Sequence, residues 1–283
     1  MSSSAFPGDA PDASPISFAL DFAPVDDLDD GQRWSTYLDV EALCRGPEPR
    51  PAWVVADRAA VDTELGVLKT GKEADVHLLH RGVPGTEGVL LAAKRYRGEE
   101  HRSFHRSAAY TEGRRMRNTR DARALARKSR HGRQLAAGQW AWAEWQALGR
   151  FWSAGIPVPY PVQLDGTELL LELVTDGDAP APRLAATRPD PDLLGHYYDQ
   201  IRLALTGMAR LGVAHGDLSP YNVLAAGDRV VVIDVPQIVD IVANPAGTEF
   251  LHRDCRTMAD WFVRRGLDVD GESLFAEVLA HAW

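Results

Sequence analysis

Near the C-terminal end of this chain, His215-Gly216-Asp217-Leu218-Ser219-Pro220-Tyr221-Asn222 is followed twelve residues after Asn222 by Asp234, and each group borders an apolar run. This order restricts the fold more than any other feature. Two short strands, read at Val213 to Leu218 and at Val230 to Val235, must bracket a polar loop and leave acids and an amide at their ends. Taken singly, Asp217 and Asn222 are ordinary turn caps and Asp234 an ordinary strand-end acid. Taken together they supply a carboxylate able to orient a nucleophile, an amide able to turn back to a metal, and a second carboxylate suited to Mg²⁺.

A second set lies upstream. Lys94 closes the apolar run Val89-Leu90-Leu91-Ala92-Ala93, in a strand read at Val89 to Tyr96. An ammonium there is costly to bury without a partner. Glu144 is the one acid in the helix read at Leu135 to Ser153, whose apolar face is Ala141, Trp145, Leu148 and Trp152, and it is the candidate partner. Alone, Lys94 reads equally well as a snorkelling surface lysine; ahead of Glu144 and Asp217 it reads as a cation for phosphates. Thr70-Gly71-Lys72-Glu73 turns between strands read at Leu65 to Lys69 and Asp75 to His80. It is neither a Walker A loop nor G-x-G-x-x-G, and only its place before Lys94 makes it a phosphate-covering loop.

The rest of the chain sets the frame. Residues 1–51, rich in Ser, Pro and Asp, read as a disordered acidic tail, with a short docking helix around Trp34, Tyr37 and Leu38. Residues 52–174 read as a strand-rich first lobe, and residues 175–283 as a reduced, mostly helical second lobe. Helices are expected from Asp192, with the stripe Leu193, Tyr197, Ile201, Leu205 and Met208, around Leu251 to Phe262, and at Leu274 to Leu279. The class is α+β, two lobes meeting near Glu172 to Thr175. Within the first lobe, residues 97–133 read as a flexible loop dense in arginine, a candidate RNA contact in a chain whose overall net charge is −9. Two distant cysteines, Cys44 and Cys255, exclude a CxxC metal knuckle and suit free thiols in a cytoplasmic setting. No apolar run is long enough to cross a bilayer, so no membrane partner is expected.

These residues resemble the RIO kinases, in particular their type-one branch. Thr70-Gly71-Lys72-Glu73-Ala74-Asp75-Val76 is similar to the family's S-T-G-K-E-A-N-V, and His215 to Asn222 to its H-G-D-L-S-x-Y-N. Ile233-Asp234-Val235-Pro236-Gln237 resembles I-D-V-x-Q, and Phe250-Leu251-His252-Arg253-Asp254-Cys255 resembles F-L-x-x-D-C. The resemblance implies a bilobal protein-kinase-like fold with an antiparallel sheet and one helix in the first lobe. It also implies an atypical serine/threonine kinase using ATP with Mg²⁺, or Mn²⁺ in its place, acting on itself or another protein. Lys94 is then the ATP lysine, Glu144 its partner, Asp217 the catalytic acceptor, and Asn222 and Asp234 the metal ligands. Thr70, Gly71, Lys72, Glu73 and Ser219 join Lys94 and Asn222 around the nucleotide, and the Glu172 and Val174 backbone meets adenine. Asp234 as a phosphate acceptor would make the protein ATPase-like, and a link to ribosome maturation makes rRNA a partner for the basic loop.

Departures from the pattern matter. Asp75 stands where the family has Asn, which adds negative charge near phosphates. Gly216 replaces the arginine of ordinary kinases, and no A-P-E follows Asp234, so control by activation-loop phosphorylation is not expected. Two further readings compete: a small-molecule phosphotransferase of the aminoglycoside type, and an ATP-switched module that binds RNA or protein with slow turnover.

Overall fold

Alternation of apolar and polar residues every second position builds strands with two unlike faces, and the chain uses it to make one six-stranded sheet. A computed structural model describes residues 28–97, 130–235 and 238–282, with backbone alone for 130–135. The strands are β1 (Gln32–Trp34), β2 (Val61–Thr70), β3 (Ala74–Gly82), β4 (Val89–Tyr96), β5 (Pro161–Asp165) and β6 (Glu168–Glu172). They lie in the order β1-β2-β3-β4-β6-β5, each pair antiparallel. Lys69 pairs with Val76, Val76 with Lys94, and Lys94 with Leu169, so these four share one face. On the other face Leu79, Leu91, Ala93 and Leu170 are buried together.

That second face is covered by residues assigned to the tail. Order was expected near Trp53; instead Gln32–Trp34 pairs with Val61–Thr63, and Tyr37 and Val54 are buried against Leu79, Leu91 and Tyr160. Tyr160 Oη donates to Pro47 O at 3.0 Å, and Trp145 Nε1 donates to Leu43 O at 2.9 Å. Around Trp34 there is a strand and a turn, not a helix. The physical reason is non-local: Tyr37 and Val54 offer too little apolar surface to order alone, but the sheet offers them a partner surface. Residues 1–27, 98–129, 236–237 and 283, and with them most of the basic loop, lie outside the described residues.

Arg81, at 0% exposure, sits inside this layer. Its Nε and Nη2 donate to Asp62 at 2.6 and 2.8 Å, and Nη1 donates to Gln163 Oε1 at 3.0 Å. A buried guanidinium is tolerable only when its fork is filled in this way.

Helix α1 (Arg130–Ser153) packs on the first face. Its buried positions Ala137, Ala141, Glu144, Leu148 and Phe151 follow the helical repeat, so the acid lies on the apolar stripe. Gly155, at φ +73°, ends the helix in the left-handed region. Helix α2 (Pro191–Arg210) starts earlier than Asp192, because Asp190 caps it: its carboxylate accepts from Leu193 N at 2.9 Å, with Pro191 at the first helical position. Helices α3 (Gly247–Val263) and α4 (Gly271–Leu279) complete the helical part. One buried cluster runs from Ala74, Tyr96 and Leu169 through Leu148 and Ile156 to Ile201, Leu205, Leu251, Met258 and Val278. Both cysteines are free, and burial pushes the Cys255 thiol up to about 12. Among the described residues no helix is long and apolar enough to cross a membrane.

Candidate active site

The loop that carries Asp217 is held from below. Strand β7 (Val213–Ala214) pairs with β10 (Val239–Asp240), and the chain then turns at Gly216, whose φ of +86° favours glycine. Asp254 of α3, at 0% exposure, reaches up: Oδ2 accepts from Gly216 N at 2.7 Å and Oδ1 from Leu218 N at 2.9 Å. Burial raises the Asp254 pKa, while His215 and the two amides work against that rise. Arg253 donates to Gly216 O. His215 is buried; its Nδ1 lies 3.4 Å from Asp217 N and its Nε2 3.4 Å from Ile233 O, so the ring bridges the loop to the end of the following strand. Asp217, between residues so fixed, presents an exposed side chain.

After Ser219, a single turn of 3₁₀ helix (Pro220–Asn222) leads into the hairpin of β8 (Val223–Ala226) and β9 (Arg229–Val232). The Asn222 Nδ2 donates to Asp217 O at 2.9 Å, and Ile233 N donates to Asn222 O at 2.9 Å. The hairpin thus sets Asp234 one residue beyond the Asn222 backbone. Asp234 is the one non-glycine residue among those described with positive φ, at 65°. Aspartate tolerates this region, and such backbone cost gathers at functional sites.

Across from this loop stands Lys94. Its Nζ donates to Glu144 Oε1 at 2.7 Å and to Asp234 Oδ1 at 2.8 Å, and lies 5.3 Å from the Tyr96 ring centre. Glu144 is fully occupied: Oε2 accepts from the Tyr96 hydroxyl, and Oε1 also from Val235 N at 3.3 Å. Burial acts to lower the Lys94 pKa, but Glu144, Tyr96 and Asp234 outweigh it and hold it well above the ordinary lysine value. Burial likewise acts to raise Asp234, and Lys94 outweighs it, so its carboxyl is held low. Partial desolvation, and then the charge of Asp234, raise the Glu73 pKa.

The structure therefore joins Lys94, Glu144 and Asp234 by direct bonds and sets Asn222 in the Asp217 loop. Thr70, Lys72 and Glu73 are exposed on a tight turn closed by Gly71 N donating to Ala74 O at 3.0 Å. A Cβ on Gly71 would meet that oxygen at 2.7 Å, so glycine is required. Ser219 O accepts from Asn222 N at 2.8 Å. Glu172 ends β6 with its carboxylate on Tyr160 N at 3.0 Å, and Val174 packs with Ala181, Ala226 and Val231, beside Leu224 and Ile233, as an apolar floor. Asp75 corrects an expectation. It lies opposite Arg95, on the sheet face away from Lys94, and Arg97 Nε donates to it at 2.6 Å, so its charge is paired and turned from the cleft.

Four residues escaped the sequence reading. Asp254 was visible only inside F-L-x-x-D-C, with no signal for its depth. Tyr96 shares the Lys94 face two residues on, which the period-two pattern signals. Lys69, opposite Val76, feels Arg183 and Lys94, which with burial lower its pKa. Arg183 donates to Tyr221 O at the rim of the Asp217 loop.

A cation gripped by two carboxylates, facing a positioned carboxylate and amide, is the arrangement of phosphoryl transfer. With the sheet-plus-helix fold it defines a protein-kinase-like phosphotransferase. Comparison with known proteins narrows the class. The model of the RIO domain matches residues 87–274. The RIO-type serine/threonine-protein kinase Rio1 of Haloferax volcanii is 34% identical over 215 residues, covering 76% of this chain and 68% of that protein. The serine/threonine-protein kinase rio1 of Dictyostelium discoideum is 30% identical over 201 residues, 71% of this chain but 33% of that protein. The serine/threonine-protein kinase RIO3 of Mus musculus is 34% identical over 129 residues, 45% of this chain and 25% of that protein. The chain belongs to the RIO family of atypical serine/threonine kinases.

Proposed function

We propose that this protein uses MgATP to phosphorylate serine or threonine, on itself or on another protein. The observation that carries this reading is the Lys94 ammonium, 2.7 Å from buried Glu144 and 2.8 Å from Asp234. An ammonium so fixed is pre-positioned for nucleotide phosphates, and no reorganisation is needed when they arrive. The cleft runs over the apolar floor of Val174, Ala181 and Leu224, and adenine stacks there with its edge on the Glu172–Val174 backbone. The Thr70–Glu73 turn and Ser219 border the phosphates. Asp217 accepts the proton of the attacking hydroxyl, whose oxygen takes the γ-phosphoryl group as ADP leaves.

The donor set fits a divalent ion. Asn222 and Asp234 offer hard oxygen ligands at adjoining ends of one hairpin. Among the described residues no three His, Cys, Asp or Glu side chains form a cage, which suits an ion that takes its remaining ligands from phosphate and water. Mg²⁺ held there, or Mn²⁺ in its place, would neutralise charge on the transferring group.

The test is incubation with γ-labelled ATP and Mg²⁺. Label should enter the protein, and Lys94→Ala and Asp234→Ala should abolish it; full incorporation in both variants refutes the reading. Acid stability of the label separates serine from an aspartyl phosphate on Asp234. The exposure of the Asp234 side chain, 47% while paired to Lys94, favours keeping that second outcome in view. The arginines of residues 97–133 support an RNA contact by their charge density alone. Two free thiols support a cytoplasmic setting.

A further inference from the structure

The turn that covers the phosphates is braced by a pair outside the cleft. Asp75 is the second residue of β3, directly after the Gly71–Ala74 turn. Its carboxylate puts a full negative charge at the root of a loop that must receive an anion. Arg97 answers it in two ways. Its guanidinium donates through Nε to Asp75 Oδ2 at 2.6 Å and through Nη2 to Oδ1, a two-pronged pair. Its backbone N–H donates to Glu73 O at 2.9 Å, inside the turn itself. The same residue thus holds the turn by its backbone and cancels the charge at its base by its side chain. Hydrogen bonding to Arg97, helped by the Gly71 amide, keeps the Asp75 carboxyl below its ordinary range, so the pair stays ionised at neutral pH. Neither residue faces Lys94: Asp75 lies opposite Arg95, while Val76 lies opposite Lys94 on the other face.

We infer that Arg97 is a positioning residue for the phosphate loop, and that the Arg97–Asp75 pair lets this chain bind nucleotide phosphates with an aspartate at the root of the loop. This rests on the ATP reading above. The pair itself is partly exposed, with side chains 32% and 21% accessible, so its effect on phosphate is electrostatic and falls with salt. Removing the guanidinium leaves one uncompensated negative charge within reach of a triphosphate. At the high effective dielectric of a surface site this weakens ATP binding by about 5- to 10-fold.

The experiment measures binding of ATP and of adenosine, without turnover, to the full chain at low salt. Arg97→Ala should lose about 5- to 10-fold in ATP affinity and leave adenosine affinity unchanged. Adding Asp75→Asn to Arg97→Ala should restore ATP affinity to within about 2-fold, because the unpaired charge is gone. General damage to the fold would weaken adenosine equally and would not be rescued, and either result overturns the inference. So does an Arg97→Ala protein that binds ATP as well as the unmodified chain. Failure of the unmodified chain to bind ATP at all would instead refute the nucleotide reading, so the two are told apart.

Discussion

Replacing Asp254 with asparagine should disable phosphotransfer without touching a single group in the cleft. Asp254 is fully buried and serves two backbone donors at once, Gly216 N at 2.7 Å and Leu218 N at 2.9 Å. A carboxylate has an acceptor for each. The amide has one acceptor and one NH₂, so one backbone N–H must face another donor. A buried donor without an acceptor costs about 1–3 kcal/mol, and the loss of a charge-assisted bond lies at the upper end. Set against this, the substitution removes a buried charge that is itself unfavourable, since burial raises the Asp254 pKa. The net loss should be about 1–2 kcal/mol, a fall of roughly 2–8 °C in the thermal midpoint for a chain of this size. The functional effect is larger. Gly216 and Leu218 flank Asp217, and a displacement of about 1 Å at a catalytic group costs on the order of 100-fold in rate. Steady-state kinetics should show kcat down at least 10-fold, with KM for ATP within about 2-fold, since Lys94, Glu144 and the Glu172–Val174 segment are untouched. Unchanged kcat together with an unchanged midpoint would refute the claim that Asp254 holds the loop.

Arg81→Met should destabilise the protein by about 3–5 kcal/mol in urea unfolding, because it leaves the Asp62 carboxylate, at 1% exposure, with only the longer 3.6 Å contact to Arg33 Nε; adding Asp62→Leu should recover most of the loss. A loss under about 1 kcal/mol would show that Arg33 or water compensates Asp62. The Lys94–Asp234 pair sets a pH window. Asp234 has a lowered pKa, so its contribution is present above the ordinary carboxylate value and is lost only as pH falls through the lowered one. Lys94 has a raised pKa, so its contribution is complete below the ordinary lysine value and is lost as pH climbs through the raised one. The difference in thermal midpoint between the unmodified chain and Asp234→Asn should therefore stay flat from about pH 5 to 9 and change only outside it. A slope near neutrality would mean that another group controls the pair.

How much of this was legible beforehand depended on whether the signal was local. β4 was read at Val89 to Tyr96, where it lies, because five apolar residues and a terminal lysine leave little choice. α1 was read from its apolar stripe, and Glu144 stood out as the acid on it. Glu144 was inferred as the partner of Lys94 from order along the chain, across 50 residues, whereas the bond to Asp234, across 140 residues, had no signal in the sequence. Residues 31–51 were misjudged, since Gln32–Trp34 and Tyr37 find their partners on a sheet formed by later strands. Asp75 was judged a liability because its face depends on register, and a register is a property of paired strands, not of one.

The sequence by itself determined the elements, the turn residues and the chemical inventory: a lysine after an apolar strand, an acid on a helix, an aspartate and asparagine in one loop, an aspartate at a strand end. These follow from side-chain periodicity and from the backbone limits of glycine and proline, which act within a few residues. The tertiary structure alone decided which charges meet. It set Lys94 between Glu144 and Asp234, lifted Asp254 beneath Gly216, turned Asp75 outward to Arg97, and buried Arg81 on Asp62. Electrostatic and hydrogen-bond energies depend on distance and on exclusion of water, and neither exists until the chain has packed.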